Sequence, residues 1–148
     1  MSNPVRSHIE RTFIMIKPEG VRRNLIGTLI QRFENRDEFN IVAIKLVHAS
    51  RKLADRHYHL HRNQPYFDDL VDLMTSGPII AMVWEGEHAI KVCRIMTGST
   101  RPLEALPGTI RGDFAGSALN SLIHVSDSPE TAAEEIALWF PEGVGSGP

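Results

Sequence analysis

Short apolar runs that alternate with amphipathic segments constrain the fold of this chain more than any other feature of its sequence. A short apolar run bounded by turn residues is typical of a buried strand, whereas apolar residues at helical spacing are typical of an amphipathic helix. The predicted strands are Thr12–Ile16, Phe39–Val47, Ile79–Trp84 and Leu122–Val125. The predicted helices are Asn24–Asn35, Lys52–His61, Pro65–Met74, His88–Met96 and Pro129–Trp139. This order predicts an α+β fold, a ferredoxin-like sandwich in which helices cover one side of a four-stranded antiparallel sheet.

Composition limits the functional classes that are open to the chain. Its 148 residues, 42% hydrophobic and 23% charged, predict one globular domain over residues 12–141, with an N-terminal extension 1–11 and a flexible tail 142–148. The net charge of −2 gives no positive field for nucleic acid or an anionic membrane. A run of eighteen apolar residues and a signal-peptide pattern are both absent from the sequence. Since the single Cys93 also fits a reducing compartment, we expect a cytoplasmic protein without membrane or nucleic-acid partners.

A histidine lies inside the last predicted strand, in the segment Asn120–Ser128. His124 has apolar neighbours on the strand, and Ser128 with Pro129 predicts that a helix begins just beyond it. An imidazole that is held rigidly can act as a nucleophile. On this segment alone, however, a hydrogen-bonded core histidine is the more common explanation.

Cations and hydroxyls that could bind phosphate are spread over three other segments. Lys17 stands at the exit of the first strand, and Arg94 lies on a predicted helix. Residues 97–120 read as one long irregular segment, rich in glycine and proline, which contains Thr100 and Arg111. A loop of this length is usually functional, and these side chains offer the donors that phosphate needs.

The segment after the second strand carries histidines and tyrosines. His57 and His61 are four residues apart, as in a pair of zinc ligands, but no third ligand follows at a convincing spacing. We therefore interpret them as a solvated helix face and predict no metal ligands from the protein. Tyr58 and Tyr66 are candidates for contact with a planar ligand, although such aromatic residues are more often part of a core.

Several common active-site motifs are missing. The sequence has neither the Walker A nor the dinucleotide Gly-x-Gly-x-x-Gly pattern, and no Gly-x-Ser-x-Gly elbow of a serine hydrolase. One histidine, a few cations and two tyrosines remain. This set favours a nucleotide site in which the histidine could take the terminal phosphoryl group.

Four segments resemble the nucleoside diphosphate kinase family, and the resemblance runs in order from about residue 11 to residue 140. The segments are Thr12–Val21 (TFIMIKPEGV), Ser76–Glu85 (SGPIIAMVWE), Pro107–Phe114 (PGTIRGDF) and His124–Ser128 (HVSDS). The resemblance implies transfer of the γ-phosphoryl group of a nucleoside triphosphate, typically ATP, to a nucleoside diphosphate. It implies a ping-pong route through a phosphohistidine.

The resemblance also assigns roles to individual residues. His124 matches the nucleophile, and Glu135 matches the carboxylate that hydrogen-bonds the other nitrogen of the histidine. Ser126 matches a serine beside it, and Tyr58 matches a tyrosine near the histidine. The positions that match phosphate contacts are Lys17, Arg94, Thr100 and Arg111, and Tyr66 matches the aromatic residue that stacks on the base. Mg²⁺ would arrive with the nucleotide phosphates. A homo-oligomer is implied, with a hexamer favoured over a tetramer or a dimer, and Pro102 matches a trimer contact.

Several positions depart from the family pattern, and two of them lie close to the histidine. Ser121 stands where the family has an asparagine that contacts the sugar, and Asn120 is one position too early, on the opposite strand face. Val125 replaces a glycine or alanine and could crowd the site. These departures leave open a nucleotide-binding regulatory protein with weakened catalysis. A sheet-based nucleic-acid binder is the third hypothesis, against which the negative net charge argues.

Overall fold

The computed structural model describes residues 9–114 and 122–145. The strands are β1 (Ile9–Ile16), β2 (Phe39–Val47), β3 (Ile79–Glu87) and β4 (Ile123–Val125). The α-helices are α1 (Pro18–Arg22), α2 (Ile26–Glu34), α3 (Arg51–His57), α4 (Phe67–Met74), α5 (Ala89–Thr97), α6 (Ile110–Phe114) and α7 (Pro129–Trp139). Short 3₁₀ turns cover His59–His61 and Pro102–Glu104. Within the described ranges, no helix has the length and the apolar character that crossing a membrane requires.

The four strands form one sheet in the order β2-β3-β1-β4, and every pairing is antiparallel. The predicted α+β, ferredoxin-like architecture with a four-stranded antiparallel sheet is therefore confirmed. Strand β1 begins at Ile9, earlier than predicted, because its ladder with β3 extends to the pair of Ile9 and Glu87. On the other side of β1, Met15 pairs with His124.

Helices pack on both faces of the sheet, so the expectation that they cover one side is wrong. The reason lies in residues 12–16 of β1, where both sets of alternating side chains are fully buried. Ile14 and Ile16 join a core with α2 and α5, whereas Phe13 and Met15 join a second core with α3, α4 and α7. The candidate site lies at the edge of this second core.

Two helices lie in segments for which the sequence predicted no helix. Helix α1 begins at Pro18, directly after β1, because proline is well suited to the first helical position. Helix α6 lies within the stretch that was predicted to be irregular, and Thr109 Oγ1 accepts a bond from Gly112 N at 3.0 Å. The predicted caps of α3 and α7 are confirmed, since Ser50 and Ser128 each accept a backbone N–H from their first turn.

Candidate active site

His124 occupies the middle of β4, and its ring faces the core that contains Phe13. The ring centroids of His124 and Phe13 are 6.0 Å apart, and that of His57 lies 4.6 Å from His124 in an edge-to-face arrangement. The His124 side chain retains 21% of its exposure. Because β4 pairs with β1, this partly open ring is fixed on a rigid support.

Glu135 holds one nitrogen of this ring. Helix α7 begins at Pro129 and packs against β1, and it brings Glu135 Oε2 to 2.8 Å from His124 Nε2. Ser126 Oγ donates to the other carboxylate oxygen at 2.7 Å. An ionised carboxylate only accepts, so Nε2 carries the proton and Nδ1 keeps its lone pair. Burial raises the pKa of Glu135, and this effect is opposed by His57 and by the bond from Ser126.

His57 packs against this group, with its Nδ1 3.9 Å from Glu135 Oε2, an arrangement that the sequence analysis did not foresee. Its side chain is only 1% exposed, and Trp139 Nε1 donates to its Nδ1 at 3.0 Å. The interpretation of His57 as part of a solvated face is therefore wrong. Its spacing of three residues from the buried Ala54 places it on the apolar stripe of α3, and this was the signal in the sequence. Burial, and then the neighbouring His124, lower the pKa of His57 well below 6.5.

Donor atoms of His57, His124 and Glu135 lie within 4.8 Å of one another, close enough to share a metal ion. The bond from Trp139 and the bond between His124 and Glu135 already engage these three groups. We therefore assign the cluster to the orientation of His124, whose Nε2 is bound by Glu135 and whose ring packs edge-to-face against His57.

Two buried cations lie near the ring. Lys17 is 7% exposed, and its Nζ lies 5.7 Å from the centroid of Tyr58. Burial, and then the charge of Arg111, lower the pKa of Lys17 to about 7. Arg111 is 6% exposed and donates to the carbonyls of Gly98 at 2.8 Å and Ile123 at 3.1 Å. Burial, and then Arg94, lower the pKa of Arg111 to about 10.

The position of the Gly98 carbonyl, which accepts a hydrogen bond from Arg111, requires a glycine. Gly98 ends α5 with φ of 89°, a left-handed conformation that side chains rarely adopt. A Cβ at this position would also lie 2.5 Å from Thr109 Oγ1. A larger residue would therefore displace either α6 or the carbonyl that fixes the guanidinium.

These cations change the chemistry of His124. Burial, and then Lys17 and Arg111, lower the pKa of His124 from 6.5 to about 3. The imidazole is therefore neutral near pH 7, and its Nδ1 can act as a nucleophile.

A cavity of about 300 Å³ opens above the ring. Six of the residues to which the resemblance assigned site roles border it, and these are His124, Glu135, Tyr58, Arg94, Thr100 and Arg111. Lys17 instead borders a small neighbouring cavity, which it shares with Tyr58. Ser126 is fully buried behind Glu135, and Tyr66 lies at the surface with 36% exposure. Asp127 also borders the cavity and was not predicted.

The positions that depart from the family pattern fall in different places. Asn120 and Ser121 lie outside the described residues. Val125 is 4% exposed and packs in the core formed with α2 and α5, although it also borders the cavity. Its bulk is therefore largely accommodated by the core.

Comparisons with known proteins agree with this geometry. A family model described as "Nucleoside diphosphate kinase" matches residues 10–144. The nucleoside diphosphate kinase of a Picosynechococcus species is 55% identical over 134 residues, which are 90% of this chain and 89% of that protein. The nucleoside diphosphate kinase of Brevibacillus brevis is 52% identical over 132 residues, 89% of each chain.

Solved structures give the same result. The crystal structure of nucleoside diphosphate kinase from Encephalitozoon cuniculi has a TM-score of 0.89 and 42% identity, and covers 93% of this chain and 92% of that one. A halophilic nucleoside diphosphate kinase from Halobacterium salinarum, solved in complex with CDP, also has a TM-score of 0.89 and 42% identity, over 94% and 93% of the two chains. The match to the family spans nearly the whole length, and the chain therefore belongs to the nucleoside diphosphate kinase family.

Proposed function

We propose that this chain transfers the γ-phosphoryl group of a nucleoside triphosphate, typically ATP, to a nucleoside diphosphate through a phosphorylated His124. The observation that carries this proposal is the bond of 2.8 Å between Nε2 and Glu135, which leaves Nδ1 of a neutral imidazole as the free nucleophile at a cavity bordered by Arg94 and Arg111. Family membership supports the same reaction.

The reaction has two half-reactions at one site. In the first, the Nδ1 lone pair forms a bond to the γ-phosphorus, the bond to the bridging oxygen breaks, and the nucleoside diphosphate leaves. In the second, a terminal oxygen of the acceptor diphosphate attacks the phosphorus, and His124 recovers its lone pair. Glu135 stabilises the positive charge that the imidazole carries while it is phosphorylated. One site can therefore serve donor and acceptor in turn.

The cations are assigned to the phosphates. Phosphoryl transfer depends chiefly on positioning and on stabilising the charge of the transferred group. Arg94, Arg111 and Thr100 border the cavity and can donate to the phosphate oxygens. Lys17, whose Nζ lies over the ring of Tyr58, contributes a positive charge to the site when its amine is protonated. Tyr66 is assigned to the base, on which an aromatic ring can stack.

Mg²⁺ is assigned to the nucleotide rather than to a cage of protein ligands. Magnesium keeps several waters and is usually held by one or two carboxylates together with the substrate phosphates. The exposed Asp127 at the cavity border fits this pattern, whereas Glu135 is engaged by His124 and Ser126. The ion supplies charge neutralisation on the phosphates.

Incubation with γ-labelled ATP tests the proposal. The protein should become labelled by an acid-labile, alkali-stable phosphate, and an unrelated nucleoside diphosphate should discharge it. His124→Gly should not label, and equal labelling of this variant and the wild type would overturn the assignment. Tight binding of ADP without phosphate exchange would instead favour the regulatory alternative.

We also propose that the protein is a homo-oligomer, with a hexamer favoured over a tetramer or a dimer. Strand β2 lies at a sheet edge and leaves Ile44 52% and Leu46 64% exposed. Next to the predicted contact Pro102, Leu103 is fully exposed, and Leu106 is 70% exposed. Apolar residues grouped at an edge and on a loop are typical of surfaces that another chain covers. Sedimentation equilibrium measures the state directly, and a monomer at micromolar concentration would refute the proposal.

The cytoplasmic location and the boundaries at residues 11 and 141 stay predictions. The location prediction depends on the single Cys93, which fits a reducing compartment. Cell fractionation with an antibody tests the location, and limited proteolysis tests the boundaries.

A further inference from the structure

Helix α6, which carries Arg111, is too short to keep its position without contacts to the rest of the fold. It has five residues, and a helix of this length is not stable alone in water. Its first residue, Ile110, is fully buried in the core formed with α2 and α5. The carbonyls of Gly98 and Ile123 fix the guanidinium of Arg111 but not the backbone that carries it. The remaining contacts of α6 therefore decide where Arg111 lies.

Arg32 of α2 binds both α6 and the turn before it. Its Nη2 donates to Asp113 Oδ2 at 2.7 Å, and its Nη1 donates to the carbonyl of Gly108 at 3.2 Å. The other carboxylate oxygen of Asp113 accepts from Gly108 N at 2.9 Å. These three bonds connect the turn, the helix and α2. Because residues two apart in a helix do not face each other, Asp113 holds α6 from a different side than Arg111.

A second arginine binds the C-terminal end of α6. Arg23, which directly follows α1, donates from Nη1 to the carbonyl of Phe114 at 2.7 Å. The guanidinium carbon of Arg32 lies 5.2 Å from the ring centroid of Phe114. Helix α2 is a firm support for Arg32, because its next residue, Phe33, is fully buried in the core. We call Arg23, Arg32 and Asp113 the α6 clamp.

The α6 clamp lies outside the cavity above His124. None of its three residues borders that cavity, whereas Arg111 does. The ion pair within the clamp is accessible to solvent, with 32% and 30% of the two side chains exposed, and such a pair contributes little to stability. The hydrogen bond from Arg32, and then that from Gly108, hold the pKa of Asp113 below its usual value, so this carboxylate is ionised near pH 7. These features favour a role in position rather than in global stability.

We propose that Asp113 and Arg32 are positioning residues, which hold α6 so that the guanidinium of Arg111 meets the phosphates of the bound nucleotide. The inference rests on the proposed function, in which Arg111 binds these phosphates. A displacement of about 1 Å in a positioned group can lower a rate about a hundredfold. Because the clamp acts through Arg111, its loss lowers the rate no more than the loss of Arg111 itself.

Phosphate exchange between ATP and a second diphosphate tests the clamp in two variants. Asp113→Asn keeps the shape of the side chain and should lower kcat about 3- to 30-fold. Loss of a negative charge would by itself favour binding of phosphate, so a fall in kcat reports the effect on position. Arg32→Lys should lower kcat by a similar factor, since lysine keeps the charge but lacks the fork that binds two groups. Wild-type kcat in either variant would overturn the proposal.

A double-mutant cycle separates positioning from a merely structural role. In the Arg111→Ala background, Asp113→Asn should lower kcat by less than about twofold, because no guanidinium is left to position. A general weakening of the fold would lower kcat by the same factor in both backgrounds, and that result would contradict the inference. The urea midpoint of each variant, measured in parallel, should stay close to the wild-type value.

Asp72→Asn serves as the matched control. Asp72 pairs with Arg51 at 2.8 Å, both side chains are exposed, and neither residue borders the cavity, so this variant should exchange phosphate at the wild-type rate. The cycle is repeated on the dissociation constant of ADP with Mg²⁺ by titration calorimetry. Asp113→Asn should weaken ADP binding only where Arg111 is present, and equal weakening in both backgrounds would refute the clamp. If the wild type exchanges no phosphate, the proposed function fails, and the binding cycle still decides the role of the clamp.

Discussion

Replacing Glu135 with glutamine tests the link between orientation of the nucleophile and rate. The substitution preserves the shape of the side chain and removes its charge. In the wild type, Oε2 accepts from His124 at 2.8 Å and Oε1 accepts from Ser126 at 2.7 Å. A glutamine has only one oxygen for these two positions. If its amide nitrogen faces His124, it donates to Nε2, and the proton of the ring moves to Nδ1, where it blocks attack.

The structure sets the size of the expected effect. A hydrogen bond to a charged group contributes about 1.5–3 kcal/mol, which corresponds to a loss of about 10- to 150-fold in kcat for Glu135→Gln. Phosphate exchange between ATP and a second diphosphate at saturating substrate measures kcat. Because burial already raises the pKa of Glu135, loss of the charge should not lower the free energy of unfolding.

The adjacent carboxylate provides a matched control. Glu134 lies on the same helix, is 60% exposed in its side chain, and pairs with His59 at 3.3 Å. A surface pair of this kind contributes about 0–1 kcal/mol, so Glu134→Gln should change kcat less than about fivefold. If Glu135→Gln keeps more than half of the wild-type kcat and denatures at the same urea concentration, Glu135 does not orient His124 in the way that the geometry indicates.

Four other outcomes follow from the same geometry. Because the pKa of His124 is lowered, the unfolded chain binds more protons than the native one between about pH 3 and 6.5, and the contribution of this residue to stability is lost as the pH falls. In urea denaturation, the free energy of unfolding should therefore decrease more between pH 7 and pH 5 in the wild type than in His124→Gln. Because the pKa of Lys17 is about 7, kcat/KM should fall as the pH rises above 7, and Lys17→Ala should remove this dependence. Arg111→Ala should lower kcat about a hundredfold, by analogy with other lost transition-state donors, whereas Arg101→Ala, whose side chain is 80% exposed, should not. Trp139→Phe should lower the free energy of unfolding by about 0.5–1.5 kcal/mol in chemical denaturation, since it removes the hydrogen bond to His57.

Periodicity predicted most of the fold because the elements of this chain agree with their local sequence. The apolar runs became strands, and the serines that precede α3 and α7 cap them as expected. Helices α1 and α6 were missed because each has five residues, which is too short for a helical period to be visible. The expectation of a sheet covered on one side failed because the sequence of β1 is apolar on both faces.

The site was predictable only in part. The histidine on a predicted strand, followed closely by the start of a helix, is a local sequence pattern. The cations were recognisable as hydrogen-bond donors from their residue types. The contacts that orient them join residues that are far apart in the sequence, such as Arg111 with Gly98 and Ile123, or Trp139 with a residue 82 positions before it. Burial of Lys17 and its lowered pKa also depend on the packing around it. The hydrophobic periodicity of the sequence does not indicate such contacts, because they depend on how the helices and strands pack.

The charged groups around His124 meet two opposed requirements of the proposed reaction. Cations that bind phosphate also disfavour a positive charge on His124, which keeps the ring neutral before the reaction but would hinder its phosphorylation. Glu135 lies on the opposite side of the ring and offsets this charge when it develops. Arg111 donates to the carbonyl of Ile123, the residue before His124, and to that of Gly98 at the end of α5, so the cation is tied to both elements. The distance between His124 and the proposed phosphate site therefore depends on β4, on the end of α5 and on the proposed α6 clamp, and changes outside these contacts should alter stability or binding before they alter this distance.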